Sequence, residues 1–580
     1  DIKNAESVRL STQSNASTID AAGIVGAGLL SLEGDQDVTI TNLAADTTLG
    51  LGLTKGGAND DFSGTVDVSL ADASGDSDEV AFQTVDTDAD NDVNATVKVG
   101  SDVETVSFDF AADAEDGNPD DNNATLNVED VKAGTITASG GSEDAADTFA
   151  FGTLSDSTTT FDAGDLSGDV TATGSAEDTT FTLNGAGTHT VTAGTGDDSF
   201  TVSSTTDNQT LDGAGGDDSL DITLGGATHD FTNVDNFETV DISVAASADV
   251  TVNNFDGNGT AKDVTLSSGN SLSTVQGTLV NDSGTVETVD ASDFSGQVAI
   301  TVDDNKAANS SFIDNTLTLT GGSGSSDRVT FSVQEAQSAA NAIAPQTSAF
   351  ESVVIEADAG SPGVEVVNVN ASGISGAQEI SFTATNGQDD SVVVTELADG
   401  ARVGLGTLDA NDATTAFGGD AATFTLSNNS GGGDSLSLAL ADTGDNTSTA
   451  VTAAGIEALS VDVAANANDH VIDLANVAAS TDESTTITVT GGQSDAETEI
   501  ENVSSTVTSL DASEFAGDLT LTDRPGGSLT VTGGSGDDSV KMEANNDVLD
   551  GGDGNDTLVI DPASSFGSTF IDLSSTTDQV

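Results

Sequence analysis

Apolar and polar residues alternate along this chain in runs of four to six, with Val, Leu, Ile or Phe set between Thr, Ser or Asp. Asp37–Thr41 (DVTIT), Thr65–Leu70 (TVDVSL), Leu317–Thr320 (LTLT) and Leu519–Thr522 (LTLT) are examples. Neighbouring side chains of a strand point to opposite faces, so a period of two marks strands with one face buried. Gly, Asp and Asn break the runs every ~8–12 residues, the spacing of an all-β fold. One segment departs from this. Val333–Ala344 (VQEAQSAANAIA) sets Val333, Ala336, Ala340 and Ile343 on one helical face, between a Ser332 cap and a Pro345 stop, and predicts a short helix. The longest apolar stretch, Ala21–Leu32 (AAGIVGAGLLSL), is too short to span a bilayer and predicts a buried strand pair or a short helix.

The strands are organised by internal repeats. A string D-A-S-x-F-x-G appears at Asp290–Gly296 and Asp511–Gly517, with weaker copies at Asp162–Gly168 and Asn370–Gly376, and a strand follows each. Units close with an apolar residue, then Glu, then a strand: Phe237-Glu238, Phe350-Glu351, Ile456-Glu457 and, in an N-terminal relative, Val103-Glu104. The repeats predict a divergent N-terminal β unit over 1–110 and four similar modules over 111–250, 251–360, 361–465 and 466–580. The last opens near Val503 without a closing Phe-Glu strand, which predicts a natural polypeptide continuing past Val580. The expected fold is all-β and multi-domain, with β-solenoid or β-roll-like modules joined by Gly/Asp turns and very little helix. A string of β-sandwich modules is the alternative.

Composition changes the picture in two ways. Hydrophobic residues make up only 35%, and Phe, at 22 copies, supplies every aromatic ring, so many thin cores suit this chain better than one thick core. Asp and Glu number 99 against 11 Lys and Arg, a net charge of −88. Nucleic acid and anionic lipid demand basic patches and are excluded as partners. Cations are the natural counter-charge. The acids are mostly Asp beside Gly, Asn, Ser and Thr, which places them in turns. With no Cys there is no disulfide framework, and metal ions are the remaining staple for a secreted chain.

The sharpest chemistry lies in Gly533–Lys541 (GGSGDDSVK) and Gly551–Val559 (GGDGNDTLV), both G-G-x-G-x-D-x-U-x with U a large apolar residue. Their first glycines, Gly533 and Gly551, are 18 residues apart, as are Gly536 and Gly554. The nine residues between keep register, so Asp538, Asp547 and Asp556 recur every nine residues, with Val540, Leu549 and Leu558 at U. Six residues of turn and three of strand would bury U in a shared core. Glycine lets the turn adopt positive φ and aim carbonyls inward. Successive turns alternate sides, so Asp538 and Asp556 fall on one side and can sandwich a hard cation. The oxygen-only donors suit Ca2+, which takes about 6–8 oxygens. Ala193–Thr201 and Gly213–Asp221 form a less regular pair, with Asp198 and Asp218 at the ligand position, 20 residues apart. Upstream, His189 stands where Asp would, and that turn is expected to bind no ion. The Gly-Asp turns at Gly321–Phe331, Gly56–Phe62 and Gly431–Leu436 read as ordinary turns.

These nonapeptides resemble the RTX (repeats-in-toxin) family, and the surrounding D-A-S-x-F-x-G and F-E-x-V strings resemble those of RTX-type bacterial S-layer and related surface proteins. The resemblance covers under a tenth of the chain. It implies type I secretion, folding outside the cell on meeting calcium, and assembly into a lattice. The chain departs from the family in lacking a long uninterrupted array, so calcium sites would be scattered staples.

An enzyme is not expected. His189, His229 and His470 are scattered, no H-E-x-x-H occurs, and there is no Cys nucleophile. The expected function is a structural subunit of a bacterial surface layer or sheath that partners itself and cell-surface polysaccharide, with no membrane span of its own. An adhesin or adhesin stalk is the alternative. A third reading is a halophile surface protein whose acidity serves solvation in salt.

Overall fold

The computed structural model describes residues 2–572 except 12–14, 35, 53–61, 76, 85–92, 101–102, 111–123, 129–130, 142–147, 185–186, 206–207, 246–247, 255–260, 281–285, 305–316, 334–341, 358–364, 385–389, 407–420, 441–447, 466–468, 481–482, 495, 523–526, 543–546 and 561–569. Period-two sequence becomes strand almost throughout. In Val93–Val99 and Ser219–Leu224 every second side chain is buried, and the Thr, Asn and Asp between them stay partly or fully exposed. Among the described residues there is no α-helix, only single 3-10 turns such as Phe231–Asn233 and Ala371–Gly373. The chain is all-β.

The strands alternate between sheets, and their pairings among the described residues are parallel. This is the topology of a β-solenoid, in which each strand pairs with the one two elements later. It sets aside the sandwich alternative, whose hairpins and Greek keys are antiparallel. Contacts divide the chain into two units, Asp1–Thr278 with Thr288–Gly296, and Leu279–Glu287 with Gln297–Val580. In the first, a 10-stranded sheet runs from Ser17–Asp20 to Val234–Asp235, and the intervening strands, from Ser7–Ser11 to Thr288–Asp290, pair with one another. In the second, a 9-stranded sheet runs from Glu365–Asn370 to Thr557–Ile560, with the intervening strands again paired among themselves.

The core of the first unit is a column of phenylalanines between two sheets. Phe108 and Phe110, on Thr105–Phe110, meet Phe151 and Phe149, on Thr148–Thr153 of the other sheet, with ring centroids 5.9 and 4.5 Å apart. Along one sheet the rings stack coil on coil, Phe181 over Phe200 at 4.5 Å. A parallel in-register ladder places identical residues one strand spacing apart, so like stacks on like.

The D-A-S-x-F-x-G string is a bend that turns two side chains inward. Asp290 Oδ1 accepts the Ser292 N–H at 2.8 Å, Asn370 Oδ1 the Ser372 N–H at 3.0 Å, and Asp511 Oδ1 the Ser513 N–H at 3.0 Å. This local bond to the amide two residues on is an Asx turn. It buries both the Ala and the aromatic: Ala291 with Phe294, and Ala512 with Phe515. The segment Ala21–Leu32 is a 3-10 turn and two strands, Ile24–Val25 and Leu29–Glu33. The helix expected over Val333–Ala344 falls mainly outside the described residues. Its first residue ends the strand Arg328–Val333, and Ile343 forms a bridge to Val369.

Phe151 lies against Phe108, Phe110 and Phe161. Phe151→Ala should therefore lower the unfolding free energy by about 3–5 kcal/mol, read by urea denaturation. A loss of under about 1 kcal/mol would contradict a core shared by both sheets.

Candidate metal centre

In the second unit the nonapeptides form the shortest coils. Val531 pairs with Leu549 and Val540 with Leu558, so each face repeats every 18 residues. The apolar U positions Val540, Leu549 and Leu558 are buried as expected. The turns pass so close that side chains would not fit. A Cβ on Gly536 would lie 2.2 Å from Gly517 O, and one on Gly554 (φ +126°) would lie 2.0 Å from Gly536 O. A Cβ on Gly533 would meet Gly551 O at 2.2 Å and Asp538 Oδ2 at 2.3 Å, and one on Gly551 would meet Asp556 Oδ2 at 2.2 Å.

Asp538 and Asp556 share one edge of the coil, and Asp547 lies on the other. All three are buried. Asp538 Oδ1 accepts the Leu519 N–H of the preceding coil at 2.8 Å, and Oδ2 accepts Gly534 N–H of its own turn at 2.7 Å. The Asp538 N–H in turn donates to Asp556 Oδ1 at 3.0 Å. On the opposite edge Asp547 Oδ1 accepts Leu529 N–H at 3.0 Å. Each carboxylate thus binds the backbone of the coil before it.

The same ladder recurs in the first unit. Asp198 accepts from Thr179 N–H at 2.7 Å and Gly194 N–H at 3.1 Å, and its own N–H donates to Asp218 Oδ1 at 2.7 Å. Beside it runs an exposed column in which Asp197 N–H donates to Asp178 and Asp217 N–H to Asp197, both at 2.9 Å. On the other edge His189 does take the Asp place. Its Nδ1 accepts Val170 N–H at 3.1 Å, so Nε2 carries the proton, 2.7 Å from Asn184 O. His189 N–H donates to Gln209 Oε1 at 2.8 Å. That edge is a neutral version of the same ladder.

Sequence reasoning saw the closing Glu but not its partner. Glu238 Oε2 accepts Asp218 N–H at 2.8 Å while its own N–H donates to Asp218 O at 3.0 Å. Glu351 clamps Asp327 in the same way, at 2.8 and 3.0 Å. Glu457 clamps Asp434 at 3.0 and 2.9 Å, and Glu104 clamps Asp78 at 2.8 and 3.0 Å. The apolar-Glu string is therefore the partner of an Asp one coil earlier.

Burial shifts these acids. Loss of solvation pushes the Asp538 carboxyl up to about 6, aided by the charges of Asp556 and Asp518, against the Leu519 and Gly534 amides. Asp218 is also pushed up to about 6, by burial first and then by Asp198 and Glu238. Asp198 is raised mainly by burial. Charge is thus held in the turns at a cost that a cation would offset.

The donors fit a hard cation. They are carboxylate and turn-carbonyl oxygens, Asp538 Oδ2 and Gly551 O converging where Gly533 lacks a side chain. Among the described residues no three acidic or histidine side chains converge, so the carbonyls would carry most of the coordination. Asp538, Asp556, Gly533 and Gly551 would hold calcium on one edge, and its charge would replace the proton that burial favours.

The geometry defines a parallel β-solenoid whose turns are capped by buried carboxylates. No protein-family model matches this chain, and no curated protein matches it.

A raised carboxyl stabilises the fold fully below its unfolded value near 3.8, and that contribution is lost as pH rises through about 6. In excess chelator the melting temperature should therefore be higher at pH 5 than at pH 7. Asp218→Asn with Asp538→Asn, which keep an acceptor oxygen but cannot titrate, should flatten the profile. An unchanged slope in that variant would refute the assignment.

Proposed function

We infer that this chain is a structural subunit of a bacterial surface layer, folding outside the cell when calcium enters its turns and then assembling with copies of itself. The observation that carries this reading is the set of buried aspartates in glycine turns too tight for any side chain, in a chain of net charge −88. Without a counter-ion these carboxylates repel one another. With calcium the turns close and the parallel strands pair. Extracellular calcium modules bind at about 10⁻⁴–10⁻³ M, suited to folding after export. Bridging ions would also offset repulsion between acidic copies. Cell-surface polysaccharide is the proposed anchor. Among the described residues no helix is long and apolar enough to cross a membrane.

A structural role also accords with the histidines. His189, His229 and His470 are buried in the coils, and the His189 ring is spent on the Val170 N–H and the Asn184 carbonyl. The RTX-type likeness of the nonapeptides favours the same reading.

Calcium added to chelated protein should raise the β signal in circular dichroism, and sodium or potassium should not. Asp538→Ala with Asp556→Ala should lower the melting temperature in millimolar calcium. Electron microscopy of the calcium-loaded protein should show sheets or tubes. Isolated rods would favour the adhesin stalk, and a fold indifferent to chelation would refute the calcium reading.

A further inference from the structure

Three of the four Glu-clamped aspartates share a second property. Asp218, Asp327 and Asp434 are 1%, 0% and 8% exposed, and in each the Oδ2 atom is buried without a hydrogen-bond partner. In Asp218 that oxygen faces the empty side-chain position of Gly213, 2.7 Å away, where Asn236 O also points at 2.2 Å. In Asp327 Oδ1 is used by Val298 N–H at 2.8 Å, while Oδ2 has no partner in hydrogen-bond geometry although the Gly322 amide lies near the carboxyl. An ionised oxygen buried without a partner is costly, and near a second carboxylate it is costlier. Burial, followed by the charge of Glu351, raises the Asp327 carboxyl, against the amides of Val298 and Gly322.

Among the described residues no ion pair involves these aspartates. Arg328 follows Asp327 but starts the strand Arg328–Val333, where successive side chains take opposite faces, and it is not among the charges acting on Asp327. The N-terminal pair is the internal contrast. Asp78 is half-buried, and its Oδ2 accepts Gly75 N–H at 2.9 Å, so that oxygen is not buried without a partner.

We propose that Asp327 with Glu351, Asp434 with Glu457, and Asp218 with Glu238 each hold one hard divalent cation between the two carboxylates, the rest of its shell coming from turn carbonyls and water. Two carboxylates match a double positive charge, and the oxygen-only donors select calcium over zinc. The turns at Asp327 and Asp434 read as ordinary turns in sequence because they lack the full nonapeptide. Their ligand set is completed instead by a Glu 24 or 23 residues later. Asp78 with Glu104 is the same clamp without an ion. The inference rests on the calcium part of the proposed function and is independent of lattice assembly.

The test is calcium-45 equilibrium dialysis of the full chain in high salt, which screens loose binding to the acidic surface. Three variants are compared with the wild type: Asp327→Asn with Asp434→Asn, Glu351→Gln with Glu457→Gln, and Asp538→Ala with Asp556→Ala. The first two should each lose two tightly bound ions per chain and keep the β signal in circular dichroism. The third should keep those two ions. Gln retains the oxygen that accepts the Asp327 and Asp434 amides, and at position 457 gives up only the bonds from Ser480, so the Glu variant decides if the Asp variant fails to fold. An unchanged calcium count in the folded Glu variant overturns the proposal. If that happens while the Asp538 and Asp556 variant loses calcium, the nonapeptide reading stands alone. A wild type that binds no calcium overturns both.

Discussion

Everything in this molecule depends on a carboxylate accepting a backbone N–H from the coil before it. Parallel sheets satisfy the amides inside strands but leave those of the turns and of the strand starts exposed to desolvation. In this chain the acids at the turns take them up: Asp538 from Leu519, Asp198 from Thr179, Asp327 from Val298. A hydrogen bond with one ionised partner is roughly twice as strong as a neutral one. It also helps to fix which turn sits over which, because each carboxylate is tied to a named amide of a neighbouring coil.

That solution creates its own problem. Each acid drawn into a turn brings a charge into a poorly solvated place, and the chain has few cations to answer it. Where the column is solvated, as along Asp178, Asp197 and Asp217, water suffices. Where it is buried, the charge is removed by substitution or left standing. His189 and Gln209 show the first route, keeping the hydrogen bonds with neutral groups. Asp218, Asp327 and Asp434 show the second.

The strand content was legible because period two survives in Thr/Val sequence, and the inward positions Val540, Leu549 and Leu558 were legible because nine-residue spacing leaves no slack. The parallel pairing was only half legible. Alternation gives faces, not partners, and both solenoid and sandwich satisfied it. The clamp between Glu351 and Asp327 was visible as two separate strings but not as a contact. Its spacing is 20 residues for Asp218, 24 for Asp327 and 26 for Asp78, because the intervening loops differ in length, so no fixed period links the pair. The neutral ladder through Gln209 left no signal, since a lone Gln among polar residues looks like surface.

Coil circumference is the feature with the widest reach. One turn of ladder takes 18 residues from Ser539 to Thr557 and 35 from Arg402 to Ser437, yet each adds the same ~4.8 Å along the stacking direction. Axial extent within a unit is set by how many rungs there are and not by how many residues each contains. Peripheral loops can therefore grow, shrink or diversify without shifting any rung above or below them. The surface offered to the outside becomes free to vary while the repeat distance stays constant.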